Sequence, residues 1–135
     1  MEVVSFDLAV KLKEKGFREE CVNFYRNKTL TSLTMIFGPR VKRDGKISFN
    51  SMEFKLKDTN KHLQVNIVDA PTISQVLKWL RDEKKIYVQI LYSPNGWEYI
   101  TLGMTNMELR GMCEVFKTYE QAALAGISYV LDNLI

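Results

Sequence analysis

The sequence predicts an α+β fold: antiparallel sheet packed with three helices, in the order helix, strands, helix, three strands, helix. Three observations carry this. Apolar residues recur at helical spacing in three separate segments, near residues 6–15, 72–85 and 118–134. Between them the spacing changes to two, as in Met52, Phe54 and Leu56 alternating with Glu53, Lys55 and Lys57. Turn signals at Asp44-Gly45 and Pro94-Asn95-Gly96 join strand-like runs so that they return antiparallel. With 135 residues, 46% hydrophobic and 26% charged, the chain suits one domain over 1–135 whose core needs no cofactor or metal.

The first helix is expected from Phe6 to Lys15. Ser5 caps its first turn, Asp7 complements the positive end of the dipole, and Gly16 supplies the left-handed residue that ends it. Phe17 is then placed to fold back on Leu12. Strands are expected around Cys21–Arg26, Leu33–Phe37, Ile47–Phe49, Met52–Leu56 and Leu63–Ile67, forming an antiparallel meander with a tight turn at "RDGK" and a looser one at "KDTNKH".

The second helix opens with a capping box: Thr72 accepts from the Gln75 N–H while the Gln75 side chain reaches back to the Thr72 N–H. Pro71 keeps Ala70 out of the helix. Ile73, Val76, Leu77 and Leu80 form the apolar stripe, and Arg81, Lys84 and Lys85 stand at the negative end. Ile86–Tyr92 and Trp97–Leu102 read as a hairpin with a three-residue loop. A third strand follows through Met107, Leu109, Cys113 and Val115, with Gly111 the place for a bulge. Thr118 and Gln121 repeat the capping pattern before a last helix with Tyr119, Ala122, Ala123, Gly126, Ile127, Val130 and Leu134 on one face. Its small residues permit close approach to a sheet.

The segments "LKEKGF" (12–17), "APT" with "KWLR" (70–81) and "YEQAALAGISYVL" (119–131) resemble those of small uncharacterised proteins carried by prophages and mobile elements of gut bacteria. The match covers about half the chain. It implies a phage or mobile-element setting and carries over no activity and no functional residue, because the shared motifs are caps and helix faces.

Catalytic signals are lacking. His62, the single histidine, sits in a Lys-rich turn with no nucleophile or ligand at motif spacing. Cys113 falls on the apolar phase of a strand, and Cys21 follows two glutamates that would raise its pKa, so both read as packing residues in a reducing compartment. The pairs Glu19-Glu20 and Asp82-Glu83 could suggest acid/base work, but the second reads as a solvated helix face, and no phosphate-binding loop, dinucleotide fingerprint or zinc-protease motif occurs. With no secretory signal and no apolar run near 20 residues, a cytoplasmic location without a membrane partner is expected.

The expected function is therefore that of a non-catalytic accessory protein acting through macromolecular binding or self-association. Two surfaces are candidates. Residues 1–68 hold 13 Lys and Arg against 8 Asp and Glu, a surplus of five, and within them Arg40, Lys42, Arg43, Lys46, Lys55, Lys57 and Lys61 cluster on two strands and their turns. A weak nucleic-acid binder would use them, with Phe24, Tyr25 or Phe49 stacking on bases. The bland alternative is that these cations keep exposed strands from pairing edge to edge. The second surface is Trp97 and Tyr99 on one side of a strand with Tyr92 across the hairpin. Exposed, the three would hold a protein partner or a second copy of the chain; beneath a helix they would be core, as aromatic cross-strand pairs often are.

Overall fold

The computed structural model describes residues 2–32, 50, 67–103, 109–111 and 114–135. These contain three helices and two three-stranded antiparallel sheets in the order the sequence predicts, an α+β chain. They group into two compact units, Val3–Pro71 and Thr72–Ile135 with Glu2.

In the first unit, α1 (Phe6–Glu14) is followed by β1 (Asn23–Arg26), β2 (Thr29–Ser32) and β3 (Ile67–Asp69), with sheet order β2-β1-β3. Helix α1 ends as its sequence requires. Gly16 takes φ 95°, the Phe17 N–H donates to the Leu12 carbonyl at 2.9 Å, and the Gly16 N–H donates to the Lys13 carbonyl at 3.2 Å. Leu12 and Phe17, the apolar pair of this motif, are both fully buried. Strand β1 turns into β2 through Asn27 and Lys28, with φ 49° and 70°, the two positive values of a type I′ hairpin turn. This hairpin was not expected. The alternation in β1 is short, and lysine is an unusual second residue for such a turn.

Phe24 and Tyr25 lie in the core of this unit. The Tyr25 hydroxyl donates to the Val4 carbonyl at 2.7 Å, and its ring meets Phe6 edge-on at 5.6 Å. Burial pushes the Tyr25 phenol above its ordinary pKa of 10.0. Asn50 and Asp69, both buried, clasp each other: the Asn50 N–H donates to the Asp69 carboxylate at 2.9 Å and the Asp69 N–H to Asn50 Oδ1 at 3.2 Å. Asn50 Nδ2 also donates to the Phe17 carbonyl at 3.1 Å, so one side chain ties the α1 exit to β3. Cys21 is buried, in keeping with a packing residue.

In the second unit, α2 (Ile73–Glu83) leads into β4 (Ile86–Ser93), β5 (Gly96–Gly103), β6 (Leu109–Gly111) and α3 (Tyr119–Asn133), with sheet order β4-β5-β6. The capping box at Thr72 is complete, with Gln75 N to Thr72 Oγ1 at 3.2 Å and Thr72 N to Gln75 Oε1 at 3.0 Å. Ile73, Val76 and Leu80 are buried as expected. The fourth buried residue is Trp79 rather than Leu77, with the Lys84 ammonium 5.3 Å from its ring centre. At the helix end Lys85 takes φ 57°, and its ammonium donates to the Asp82 carbonyl at 2.9 Å.

Pro94 and Asn95 alone connect β4 to β5, because Gly96, at φ 136°, already pairs with Ser93. Glycine is required at 96 twice over, since a Cβ there would stand 2.6 Å from the Phe116 carbonyl oxygen. Two registers meet on β5: Gly111 pairs with Ile100, and Phe116 pairs with Trp97. Helix α3 lies on β5 and β4 beside α2, with Ala122, Ala123, Gly126, Ile127, Val130 and Leu131 buried. Close approach centres on Gly126, where a Cβ would meet Val88 Cγ1 at 2.9 Å and Tyr99 Cγ at 3.1 Å. The second capping box is half formed: Thr118 accepts from the Gln121 N–H at 3.1 Å, but the Gln121 side chain accepts from the Lys117 N–H instead.

Candidate functional site

The tip of the β4–β5 hairpin gathers the aromatic residues that the sequence singles out and divides them. Side chains at even positions of β4 and odd positions of β5 share one face, and the register pairs Tyr92 with Trp97 and Ile90 with Tyr99. Helix α3 covers this face unevenly. It starts at the tip, where Tyr119 meets Trp97 edge-on at 5.6 Å. By Gly126, about 10 Å further along its axis, it lies directly on Val88 and Tyr99.

Tyr99 is therefore core, 3% exposed, with Phe116 and Tyr129 each 6.2 Å away. Its place in the expected interaction surface is corrected: the glycine at 126 lets the helix backbone seal it. Burial, then the negative charge of Glu114 and the proximity of Tyr129, push its phenol above 10.0. Tyr92 remains at the surface, 73% exposed, its ring 4.9 Å from that of Trp97. Trp97 is half-buried, held between Tyr92 and Tyr119 and fixed through its backbone, which exchanges hydrogen bonds of 2.8 and 2.7 Å with Phe116. Tyr119 and Val115 are exposed alongside.

The result is a ladder of three aromatic rings, Tyr92, Trp97 and Tyr119, of which the outer two are exposed and the middle one half-buried. Its rings meet in tilted and edge-on geometries, with ring-plane angles of 58° and 90°. Such a surface binds by burying a partner's apolar side chains, with phenolic hydroxyls for hydrogen bonds at its rim. Tyr119 is the member the sequence did not reveal. Helical spacing places it on the apolar stripe of α3, and only the point where α3 meets the sheet leaves it exposed.

The basic residues Arg40, Lys42, Arg43, Lys46, Lys55, Lys57 and Lys61 lie outside the described residues, as do Phe49, His62 and Cys113. Phe24 and Tyr25, the other stacking candidates, are core residues and do not offer rings to bases. Glu19, Glu20, Asp82 and Glu83 are exposed, and Asp82 accepts from the Arg81 Nε at 3.1 Å. Among the described residues no three His, Cys, Asp or Glu side chains stand together as a metal site, and no helix is long and apolar enough to cross a membrane. Comparison with protein-family models, curated proteins and solved structures finds no match to this chain.

Proposed function

We propose that this chain is a non-catalytic accessory protein of a phage or mobile element that works by binding another macromolecule, with the Tyr92–Trp97–Tyr119 ladder as its docking surface for a protein partner. The observation that carries this reading is the 73% exposure of Tyr92 beside a half-buried tryptophan. A tyrosine needed only for folding would lie under the helix, as Tyr99 does. Aromatic side chains on a rigid support lose little conformational freedom on binding, which suits them to interface centres.

Trp79 and Trp97 are the two tryptophans, so a Trp79→Phe variant makes Trp97 the sole fluorescent reporter of the ladder. A partner captured by the chain should shift that emission and lose at least about tenfold in affinity to Tyr92→Ala or Tyr119→Ala, the loss typical of an interface anchor. Turnover of a small substrate that a single side-chain change abolishes would overturn the non-catalytic assignment. The surplus of five positive charges in residues 1–68 supports a second reading, weak binding of nucleic acid through residues 40–61. Affinity would then fall steeply with added salt and vanish in a Lys42→Glu, Lys55→Glu double variant, while the ladder variants bind nucleic acid normally.

A further inference from the structure

Among the described residues no strand pairs with the outer edge of β4. Trp97 directs both its N–H and its carbonyl toward Phe116, away from β4. In an antiparallel pair the residue opposite must then direct its own groups away from β5, so Tyr92 faces outward. By alternation so do Ile90, Val88 and Ile86. Sheet order β4-β5-β6 places no described strand on that side. The strand is eight residues long, IYVQILYS, without a charge or a proline along its length. Edge strands ordinarily carry lysine, proline or a bulge that discourages pairing, and this one carries none of them.

We infer that this edge pairs with the same edge of a second copy of the chain, joining two three-stranded sheets into one continuous sheet across a two-fold axis at Gln89. Closed two-fold pairing of antiparallel strands requires each residue to lie opposite one of the same face, which restricts the register to even offsets. Of these, the register centred on Gln89 alone uses all four outward-facing residues, pairing Ile86 with Tyr92 and Val88 with Ile90, for about eight hydrogen bonds. It brings Gln89 opposite Gln89 and the exposed Tyr87 opposite the exposed Leu91. The side chains support this occupant over an unrelated strand. An amide both donates and accepts, so Gln89 satisfies its own copy, where lysine or glutamate would meet its own charge. Tyr87 and Leu91 are 41% and 36% exposed in the single chain and form an aromatic–aliphatic cross-strand pair twice over in the dimer. A strand with no net charge offers nothing to select a charged foreign partner.

This edge shares Tyr92 with the aromatic ladder, through that residue's backbone, and the two surfaces are distinguished at Tyr119, which only the ladder uses: Tyr119→Ala weakens partner binding and leaves self-association intact. The test uses the full chain. Sedimentation or light scattering at micromolar concentrations should give twice the chain mass. Gln89→Lys, an exposed change that spares the fold as judged by circular dichroism, should weaken the dimer by roughly a hundredfold or more. Gln89→Glu should do the same, and an equimolar mixture of the two variants should recover the doubled mass. Gln89→Cys should form an intermolecular disulfide on mild oxidation, mapped to position 89 on both chains, whatever the behaviour of the charged variants. A single-chain mass up to about 100 μM, where even weak pairing by mass action is populated, overturns the inference. So does a doubled mass indifferent to Gln89→Lys, or a Gln89→Cys chain that does not cross-link to itself.

Discussion

Replacing Gly126 by alanine sets two opposing effects against each other inside one helix. Alanine is better than glycine in a helix interior by about 1 kcal/mol, since it gives up less backbone freedom on folding. The new Cβ, however, would stand 2.9 Å from Val88 Cγ1 and 3.1 and 3.2 Å from Tyr99 Cγ and Cδ2. Neither neighbour moves easily. Val88 is buried beneath the helix, and the Tyr99 ring, 3% exposed, is flanked by Phe116 and Tyr129. Inserting a methyl group into a filled core costs roughly 1–3 kcal/mol, because helix and sheet must separate or side chains leave their rotamers. Overpacking wins, and the net expectation is a loss of about 1 kcal/mol, a fall of several degrees in the thermal midpoint.

Urea titration followed by circular dichroism measures the loss. The double variant Gly126→Ala with Val88→Ala identifies its cause: removing Cγ1 should recover at least about 1 kcal/mol relative to the sum of the single changes, the coupling expected of residues in direct contact. A Gly126→Ala chain more stable than the original by the full helix-propensity gain would show that α3 does not lie tight on the sheet. The division of Tyr99 from Tyr92, which defines the candidate site, would fall with it.

The two capping threonines should differ in worth. Thr72→Ala removes the part-buried hydroxyl acceptor of a complete capping box, leaving only the bond from the residue 72 N–H to Gln75, and should cost about 1–2 kcal/mol, while Thr118→Ala removes an exposed acceptor and should cost about 0.5–1 kcal/mol; equal losses in urea titration would refute the distinction. Alkaline stability should report the two buried phenols. Tyr25 and Tyr99 hold their protons more tightly folded than unfolded, so their contribution is intact below pH 10.0 and is lost as pH rises through the folded values. The Tyr25 phenolate also loses its donor to the Val4 carbonyl. Tyr25→Phe and Tyr99→Phe should each flatten the decline of the urea midpoint above pH 10.0, and a decline identical in all three chains would exclude this origin.

Local backbone chemistry was legible in the residues themselves. Gly16 after "KLKEK" ends α1, Thr72 with Gln75 opens α2, and Pro94 to Gly96 turns the hairpin, because each motif satisfies its own hydrogen bonds or dihedrals within a few residues. From such punctuation and from spacing alone, the α+β class and the element order follow. Missed were one local feature, the Asn27-Lys28 turn into β2, whose lysine is not a turn signal, and features set by pairs distant in the chain. Asn50 meets Asp69 across nineteen residues, and Phe116 pairs with Trp97 in a different register from that of Gly111 with Ile100.

The site divides along the same line. That Trp97 and Tyr99 share one face is a property of strand period, written in the sequence, whereas Tyr92 joins them because the loop has two residues, Pro94 and Asn95, rather than the three the sequence predicts. Which of them meets solvent depends on where α3 first touches the sheet and how closely Gly126 lets it settle. The open edge of β4 likewise depends on strand order, which no local pattern specifies. Sequence by itself determined the three helices, the β4–β5 hairpin and the faces they carry, because those obey interactions over a few residues. Only the tertiary structure decided which faces and edges stay uncovered, because burial is a relation between segments that meet only once the chain has folded.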